Sequence, residues 1–367
     1  MLERTTARVS RAALPPGAKI RVLVVDDSVV IRRLVTLALD EDPQIEVVGS
    51  AANGKIALQR IPQVNPDVIT LDVEMPEMDG IETLRHLARQ HPKVRVIMFS
   101  TMTERGAAVT LEALQLGASD YVAKAANVGS LDVSLRRLRD DLIPKIKQFF
   151  RPAEPTQPAP LPVARPAVGA LARMARRPRR MVAIGTSTGG PNALAKVFAE
   201  LPGDLPAPVV LVQHMPPLFT RLLAERLESQ GRLRVREARG AEELQPGTAY
   251  LAPGDYHLVM HREGARVVTA LNQDPAENSC RPAVDVLFRS VAEIYGGEVV
   301  GVILTGMGQD GFRGIEALKG QGAYVIAQDE ASSVVWGMPG VVVKGGLADE
   351  VTPIEQVARA IVRQVTG

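Results

Sequence analysis

The chain has 367 residues, which is enough for two domains of ordinary size, and its 46% hydrophobic and 23% charged residues are typical of a globular protein. The net charge of +2 gives no sign of nucleic-acid binding, and the single cysteine, Cys280, excludes an intrachain disulfide and a zinc site with two protein thiolates. We find no signal sequence and no run of about 18 or more apolar residues, so we expect a cytoplasmic protein that neither inserts into membranes nor binds nucleic acid.

Five short apolar runs alternate with longer amphipathic segments in the first part of the chain. The runs are IRVLVV (20–25), IEVVGS (45–50), DVITL (67–71), VRVIMF (94–99) and SDYVA (119–123). This alternation is typical of a parallel sheet whose strands are connected by helices. Five such units predict a flavodoxin-like, doubly wound α/β domain.

The composition changes between residues 151 and 180, where proline, alanine and arginine dominate. Proline stands at positions 152, 155, 158, 160, 162, 166 and 178. Because so much proline is combined with so few large apolar side chains, this segment is predicted to be an extended linker without a core of its own.

The alternation resumes after the linker and predicts a second α/β domain. Its apolar runs are MVAIG (181–185), PVVLVQ (208–213) and EVVGVILTG (298–306), each followed by turn residues and a helical pattern. Between residues 232 and 271, short strands separated by glycine and proline instead predict β-hairpins. We therefore expect a mainly parallel sheet with a hairpin region.

Three carboxylates and a lysine stand at the carboxyl ends of strands in the first domain. Asp26 and Asp27 follow the first strand, and Asp72 follows the third. Strand ends of a parallel sheet form the crevice where ligands bind, and converging carboxylates suit Mg²⁺. Asp72 can then be the nucleophile toward a phosphoryl group, with a hydroxyl from Ser100 and a positive charge from Lys124 beside it. Taken singly, each aspartate is also explained as a turn or helix-capping residue.

The segments VVDDS, LDVEMPEMDG and FS, with the lysine of YVAK, resemble the receiver domains of two-component response regulators over about residues 19–145. By this resemblance the phosphoacceptor is Asp72, the Mg²⁺ ligands are Asp26, Asp27 and Asp72, and the switch pair is Ser100 and Lys124. A histidine kinase is the implied phosphodonor. Receivers of this type usually have proline after the lysine, and here that position is Ala125, so the geometry of the 124–130 loop does not follow from the resemblance.

The segment MVAIGTSTGGPNAL predicts a strand, a turn of small residues that carries Ser187, and a helix opened by Pro191. Such a turn brings a hydroxyl close to the free N–H groups of a helix N-terminus, which can stabilise developing negative charge. The turn lacks the lysine of a G-x-x-x-x-G-K phosphate-binding loop. Taken alone, it is equally well explained as a structural turn.

His214 is the strongest candidate for a general base, because it follows the run PVVLVQ and should lie at the same sheet edge as Ser187. The other histidines of this half, His257 and His261, have the even spacing of one face of a hairpin strand and are interpreted as surface residues. Asp310, in TGMGQDG at the end of a further strand, is the leading candidate for the carboxylate that orients the imidazole. Its alternative role is that of an ordinary turn or helix-cap residue.

The second half resembles the catalytic domain of chemotaxis protein-glutamate methylesterases over about residues 180–365. The motifs that carry the resemblance occur in order and are AIGTSTGGP, VQHMP, SCRPAVDVLFRS, LTGMGQDG and WGMPG. By this match the triad consists of Ser187, His214 and Asp310. Thr188 is implied to position the serine, and the Met307 backbone N–H is implied to contribute to the oxyanion hole. The esterase reaction is expected to need no cofactor.

Together the two resemblances imply a receiver at residues 19–145, a linker at 146–180 and a methylesterase domain at 181–367. The implied activity is hydrolysis of glutamate γ-methyl esters, and deamidation of glutamines, on the cytoplasmic domains of methyl-accepting chemoreceptors. By analogy with the family, the unphosphorylated receiver covers the catalytic face, and phosphorylation of Asp72 relieves the inhibition.

Two other functions are alternatives to this one. In a non-enzymatic regulator, phosphorylation would expose a protein-binding second domain, and Ser187 would carry no chemistry. A transcription factor is disfavoured because the second half has no evident recognition helix or dense basic stripe. Two further residues have more than one interpretation. Cys280 is interpreted as a small packed residue and not as a nucleophile, because no paired histidine is evident nearby. Trp336 either lines a groove or packs a loop.

Overall fold

A computed structural model of the chain describes residues 12–15, 17–124, 131–152 and 178–367. Ala125, with the loop after Lys124, and most of the predicted linker lie outside these residues. The described strands form one sheet of five strands, one of seven and two pairs. None of the described helices is long and apolar enough to cross a membrane.

The described residues up to Pro152 contain seven strands and five helices. In chain order these are β1 (Ala12–Leu14), β2 (Ile20–Val25), α1 (Val29–Asp40), β3 (Ile45–Ala51), α2 (Gly54–Val64), β4 (Val68–Asp72), α3 (Gly80–Gln90), β5 (Arg95–Ser100), α4 (Glu104–Leu116), β6 (Asp120–Ala123), α5 (Leu131–Lys147) and β7 (Phe150–Pro152).

Strands β2 to β6 form a parallel sheet in the order β3-β2-β4-β5-β6. Because β2 lies inside the sheet and the chain winds outward from it in both directions, the predicted flavodoxin-like fold of this half is confirmed. The five predicted runs agree with the strands to within one residue at each end. Every residue of β4 is buried, as expected for an inner strand that helices cover on both faces.

Four helices of this half begin at a polar side chain that accepts a hydrogen bond from a backbone N–H of the first turn. These N-cap residues are Ser28, Asn53, Asp79 and Thr103. The caps fix where each helix begins after its strand. They therefore hold the loops at the carboxyl edge of the sheet, where the predicted site residues lie.

The strands β1 and β7 pair in parallel and were not predicted. Each has only three residues, which is too short for a periodic pattern to be recognised.

The second part of the chain contains nine strands and six helices. In chain order these are β8 (Met181–Thr186), α6 (Gly190–Glu200), β9 (Val209–Gln213), α7 (Phe219–Gln230), β10 (Arg234–Glu237), β11 (Thr248–Leu251), β12 (His257–Glu263), β13 (Arg266–Asn272), α8 (Val284–Tyr295), β14 (Val299–Ile303), α9 (Phe312–Gly320), β15 (Tyr324–Gln328), α10 (Met338–Lys344), β16 (Glu350–Thr352) and α11 (Ile354–Thr366).

The main sheet of this half is parallel throughout, in the order β10-β11-β9-β8-β14-β15-β16. The predicted α/β fold with a mainly parallel sheet is confirmed. β8 lies between β9 and β14, so the residues that follow these three strands lie at one edge of the sheet.

The hairpin prediction for residues 232–271 is correct for one pair of strands and wrong for the other. β12 and β13 form an antiparallel hairpin, whereas β10 and β11 pair in parallel and extend the main sheet. The connection between β10 and β11 runs along β13, where Ala241 N donates to Thr269 O and Leu244 N donates to Val267 O. A short connection rich in turn residues usually joins two antiparallel strands, but here it joins two parallel strands.

Candidate functional site

The carboxyl ends of β2 and β4 bring together the three carboxylates predicted to bind Mg²⁺. Asp26 and Asp27 follow β2, and Asp72 is the last residue of β4. One oxygen atom of each carboxylate lies within 4.8 Å of the other two. Asp26 and Asp72 are buried, whereas Asp27 is exposed. Negative charge is therefore concentrated at this sheet edge, with one side open to solvent.

Lys124 supplies a positive charge to this carboxylate cluster. Its Nζ lies 2.7 Å from Asp72 Oδ2 and 2.9 Å from Asp26 Oδ2. Burial raises the pKa of Asp72, and the charge of Asp26 adds to this effect while Lys124 opposes it, so the pKa of Asp72 is about 6. Burial lowers the pKa of Lys124, but its interactions with the two carboxylates outweigh burial and raise it. Lys124 is therefore charged at neutral pH.

The contacts of the two Asp26 carboxylate oxygens indicate whether a metal ion fits this cluster. Its Oδ1 accepts a hydrogen bond of 2.9 Å from Ser28 N. Its Oδ2 is buried and accepts no hydrogen bond of acceptable geometry, although Lys124 Nζ is close by. The Lys124 ammonium offsets part of the cost of burying this carboxylate, and a metal ion would give Oδ2 a bond that it otherwise lacks. Because all the donors are oxygen atoms, the residues present fit Mg²⁺.

Ser100 lies at the end of β5 as the last residue of that strand and is fully buried. Its Oγ is directed at two carbonyl oxygens, at 3.1 Å from Gly106 O and 3.2 Å from Thr101 O. The structure therefore brings Lys124, but not the Ser100 hydroxyl, into contact with Asp72. A change of side-chain rotamer is required before Ser100 can contact a group on that carboxylate.

Ser187 lies in the turn between β8 and α6. Its N–H donates to Thr305 O at 3.0 Å, and its carbonyl accepts from Gly190 N at 2.8 Å and from Gln213 Nε2 at 2.9 Å. Gly189 has a φ of 78°, a left-handed conformation that residues other than glycine rarely adopt. These contacts fix the Ser187 backbone at the edge shared by β8, β9 and β14.

His214 follows β9, and Asp310 lies in the loop between β14 and α9. His214 Nε2 is 2.7 Å from Asp310 Oδ2. Asp310 is 3% exposed and accepts hydrogen bonds from Val284 N at 2.7 Å and Asp285 N at 3.0 Å, at the start of α8. Burial raises the pKa of Asp310, but the bonds from His214 and from these N–H groups outweigh burial and lower it. The ionised carboxylate keeps a proton on Nε2, so Nδ1 is the nitrogen available for proton transfer.

Cys280 lies beside His214, so the interpretation that it has no histidine nearby is wrong. Its Sγ is 3.5 Å from His214 Nδ1. A tight turn brings the sulfur there: Glu277 and Cys280 exchange backbone hydrogen bonds, and Asn278 and Ser279 between them have φ values of 52° and 61°. Positive φ at both central positions is the property of a type I′ turn, which asparagine adopts readily.

Asn278 links Asp310 to a second buried carboxylate, which the sequence did not indicate. Its Nδ2 donates to Asp310 Oδ1 and to Asp285 Oδ2, each at 3.0 Å. Asp285 also accepts a hydrogen bond of 2.7 Å from Gly314 N. Burial and the charge of Asp310 raise the pKa of Asp285. The amide of Asn278 therefore holds two carboxylates in a fixed relation beside His214.

His257 is buried, contrary to its interpretation as a surface residue. It is 0% exposed, whereas His261 on the same strand is exposed. Ala283 N donates to His257 Nδ1 at 3.2 Å, and Nε2 is 3.3 Å from Pro275 O. Even spacing puts both histidines on one face, but only the first lies beneath the chain that precedes α8. His257 therefore supports the segment that carries the type I′ turn.

A cavity of about 370 Å³ lies over these residues and is lined by both halves of the chain. Its lining includes Ser187, His214 and Met307 from the second half and Asp120, Tyr121 and Lys145 from the first. Thr188 Oγ1, next to the serine, donates a hydrogen bond of 3.0 Å to Asp120 Oδ2. The first half of the chain thus contacts the turn that carries Ser187.

Within the described part of the chain, no hydrogen bond joins Ser187 to His214. The ring nitrogens of His214 contact Asp310 and Cys280 instead. All four residues line the same cavity. The three residues of the predicted triad therefore line one cavity, and two of them, His214 and Asp310, are joined by a hydrogen bond.

The two halves also make direct contacts beside the cavity, through α4 and β6 on one side and α6 and α7 on the other. The rings of Tyr121 and Phe219 stack with their centroids 4.8 Å apart. Asn192 Nδ2 donates to Leu114 O at 2.5 Å. One buried apolar cluster contains residues from both sides of this contact.

Trp336 packs a loop and is not among the residues that line the cavity. Its Nε1 donates to Gln328 O at 3.0 Å, and its ring lies against Gly340. Of the two interpretations of Trp336, the structure supports loop packing.

Comparisons with known proteins agree with this architecture. Family models for the CheB methylesterase and the response regulator receiver domain match residues 182–361 and 22–136. A protein-glutamate methylesterase/protein-glutamine glutaminase of Nocardioides sp. (strain ATCC BAA-499 / JS614) is 52% identical over 354 residues, which cover 95% of this chain and 96% of the relative. The protein of the same name from Trichodesmium erythraeum is 49% identical, with coverage of 95% and 99%. The chain belongs to the CheB methylesterase family.

A solved structure supports the assignment of the second half. The catalytic domain of the CheB methylesterase of Thermotoga maritima is 44% identical and superposes with a TM-score of 0.50, covering 50% of this chain and 98% of that domain. As a member of the CheB methylesterase family, the chain is a hydrolase joined to a response regulator receiver.

Proposed function

We propose that the chain hydrolyses glutamate γ-methyl esters, and deamidates glutamines, on the cytoplasmic domains of methyl-accepting chemoreceptors. The observation that carries the proposal is the 2.7 Å contact between His214 and Asp310 at a cavity that Ser187 also lines. A nucleophile, a base and an orienting carboxylate are the groups that serine hydrolases require. The names of the relatives support the substrate class.

In the proposed reaction, Ser187 Oγ attacks the ester carbonyl carbon while His214 Nδ1 takes the hydroxyl proton. The bond from that carbon to the methoxy oxygen then breaks, and His214 returns the proton so that methanol leaves. Water, deprotonated by the same imidazole, hydrolyses the acyl-serine and releases glutamate. A glutamine carboxamide follows the same course, with ammonia as the leaving group.

Ser187 has to change its contacts for this reaction, because Cys280 is the residue 3.5 Å from His214 Nδ1. The Ser187 side chain is proposed to rotate toward Nδ1 when substrate enters the cavity. Contacts of this kind are often loose without substrate and tighten in the substrate complex.

Negative charge that develops on the carbonyl oxygen is proposed to be stabilised by the backbone N–H of Met307, which lines the cavity. Ser187 precedes α6, whose first N–H groups add to the favourable field. Thr188 is proposed to position the serine once its hydroxyl is free of Asp120.

The receiver is proposed to inhibit the catalytic half by covering its cavity. Asp120, Tyr121 and Lys145 of the receiver line the cavity, and the Asp120 carboxylate accepts a hydrogen bond from Thr188. A receptor helix that must reach Ser187 would have to displace these side chains. Displacing the receiver is therefore proposed to be a requirement for activity.

Phosphorylation of Asp72 by a histidine kinase is proposed to favour the displaced state. Mg²⁺, held by Asp26, Asp27 and Asp72, would neutralise phosphoryl oxygens. In the unphosphorylated chain Lys124 forms an ion pair with Asp72. We propose that Lys124 and Ser100 move to contact the phosphoryl group once Asp72 carries it. Because β6 ends one residue before Lys124, this movement would disturb the strand that contacts the catalytic half.

Methanol release from methylated receptor cytoplasmic fragments tests both parts of the proposal. Wild type should release methanol, more rapidly with a small phosphoryl donor, and Ser187→Ala should release almost none. Cys280→Ala is the matched control, because its thiol also lies beside His214. If release persisted in Ser187→Ala and disappeared in Cys280→Ala, the serine mechanism would be wrong.

The alternative of a non-enzymatic regulator is disfavoured, because the chain belongs to a family of protein-glutamate methylesterases. Regulation by the receiver has its own test: if the phosphoryl donor left the rate unchanged, inhibition by the receiver would be refuted.

A further inference from the structure

The residues around His214 form a second group of possible metal ligands. One donor atom from each of His214, Cys280 and Asp310 lies within 4.8 Å of the other two. These donors include nitrogen and sulfur, whereas the carboxylate cluster of the receiver offers oxygen alone. Thiolate and imidazole ligands favour Zn²⁺ over Mg²⁺. The two groups are therefore expected to select different ions.

The separation of Cys280 Sγ and His214 Nδ1 suits two ligands of one zinc ion. The two atoms are 3.5 Å apart. Tetrahedral zinc, with bonds of about 2.3 Å to sulfur and about 2.0 Å to nitrogen, holds two such ligands about 3.5 Å apart. An ion can therefore bridge these atoms without a change in the separation that the fold already gives them.

Asp310 holds the imidazole in the orientation that such a site requires. Because Nε2 is 2.7 Å from Asp310 Oδ2, Nδ1 is directed at Cys280. A metal-bound imidazole usually donates its other N–H to a carboxylate, which fixes the ring and raises the basicity of the ligating nitrogen. The carboxylate is itself fixed by backbone N–H groups at the start of α8.

The sulfur is held in place and remains accessible. The turn that carries Cys280 is attached to α8 by the ion pair of Glu277 and Arg289, with contacts of 2.8 Å and 2.5 Å. His214 and Cys280 line the cavity over the site and also a second cavity of about 530 Å³. These cavities give an ion a path to the ligands and leave space for water at the remaining coordination positions.

We propose that His214 Nδ1 and Cys280 Sγ bind Zn²⁺, with Asp310 as the supporting carboxylate, and that the ion inhibits the esterase. On binding, the Cys280 thiol and a protonated His214 imidazole each release a proton to solvent, and Sγ and Nδ1 bond to zinc. Zinc occupies the lone pair of Nδ1, which then cannot take the proton of Ser187. The inhibition rests on the proposed function, whereas the binding does not.

Cobalt titration of the untagged full chain tests the binding directly. A bond between Co²⁺ and thiolate gives a charge-transfer band in the near ultraviolet, and Cys280 is the single cysteine of the chain. We expect a saturable band that Zn²⁺ removes, and no band in Cys280→Ser. His261→Gln removes an exposed histidine outside the site and should keep the band.

A second variant guards against a folding defect in the cysteine variant. His214→Gln should weaken cobalt binding by about ten-fold or more, since even supporting residues contribute that much to metal affinity. If wild type gave no band, or Cys280→Ser kept it, the 3.5 Å contact would be an ordinary S–H···N hydrogen bond and the proposal would be wrong.

The inhibition is tested by adding Zn²⁺ to the methanol assay, with each variant compared with its own metal-free rate. Wild type should lose activity and regain it with a chelator, and Cys280→Ala should require about ten-fold or more zinc for the same loss. Equal zinc sensitivity in the two proteins would overturn inhibition at this site. A cobalt band in a chain without any esterase activity would support the metal site and refute the proposed function.

Discussion

The chemistry of His214 depends on two neighbours that are far from it in the sequence. Burial lowers the pKa of His214, but hydrogen bonds with Asp310 and Cys280 outweigh burial and raise it to about 10. Both contacts therefore favour the protonated imidazole, and a change of surroundings that weakens them would favour the unprotonated base that catalysis requires.

Replacing Cys280 with alanine is expected to move the acidic limb of the pH–rate profile to lower pH. The contact with sulfur raises the pKa of His214, so its removal lowers that pKa and leaves the unprotonated base available at lower pH. The measurement is kcat/KM for methanol release against pH, with chelator and phosphoryl donor present. Cys280→Ser keeps a hydrogen-bonding group and should give a smaller shift; an unmoved limb in the alanine variant would contradict the prediction.

Asp72→Asn is expected to stabilise the receiver near neutral pH. The pKa of Asp72 rises from 3.8 to about 6 in the folded chain, so the folded state binds this proton more tightly than the unfolded state. Stability therefore falls as pH rises through this range, by at most about 3 kcal/mol.

The corresponding measurement is the Tm of the receiver without Mg²⁺, near neutral pH and at about pH 4. The gain in Tm from Asp72→Asn should be present at the higher pH and largely absent at the lower one. Asp27→Asn, at an exposed carboxylate of the same cluster, is the control and should change Tm less. A gain of equal size at both pH values would refute the account.

Among the elements, the type I′ turn before α8 determines the surroundings of the base. It directs the side chain of Asn278 to Asp310 and Asp285, and it directs Cys280 to His214. The turn belongs to neither a strand nor a helix, yet it supplies three of the contacts made by the histidine–aspartate pair and its neighbouring carboxylate.

Asn278→Gly is expected to reduce kcat by about ten- to a hundred-fold, because a hydrogen bond to a charged group contributes about 1.5–3 kcal/mol. Glycine keeps the positive φ of the turn, so the loss should come from the missing amide and not from the backbone. KM and the circular dichroism spectrum should be unchanged. Ser279→Gly, at the other central position, should retain activity; equal losses in the two variants would assign the effect to the turn itself.

The strands of the receiver could be predicted closely because each is a continuous apolar run bounded by polar residues. The rule that parallel strands end at one edge also predicted that Ser187, His214 and Asp310 would lie near one another. Cys280 and Asn278 could not be predicted, because a turn between β13 and α8 brings them to the site and no strand pattern marks it. The prediction that β10 and β11 form a hairpin was wrong for a similar reason, since a turn-rich connection does not specify strand direction.

At the scale of the whole molecule, the contacts between the halves differ in strength. The stacked rings of Tyr121 and Phe219 lie within an apolar cluster that spans both halves. The ion pair of Arg221 and Glu104, at 2.7 Å, has side chains that are 47% and 72% exposed, and such pairs contribute little. The receiver is therefore held mainly by apolar packing and by hydrogen bonds such as that from Asn192 to Leu114 O.

Asn192→Ala is expected to raise the basal rate of methanol release by about two- to ten-fold. One hydrogen bond contributes about 0.5–1.5 kcal/mol to the stability of the state in which the receiver covers the cavity. The phosphoryl donor should then stimulate the variant by a smaller factor than wild type. Arg221→Ala removes the exposed ion pair and should leave both rates close to wild type. A basal rate in Asn192→Ala equal to that of wild type would show that this bond does not restrain the receiver.

The four-residue strand β6 has a consequence for exchanging receivers between proteins. Its first two residues, Asp120 and Tyr121, face the cavity, and Lys124 immediately after it holds Asp72. In the proposed mechanism, one strand therefore connects the phosphorylation site with the side chains that line the cavity. A chimera with a foreign receiver that lacks an acid and an aromatic ring at these positions is expected to accept phosphoryl groups but to inhibit the hydrolase less than the native receiver does.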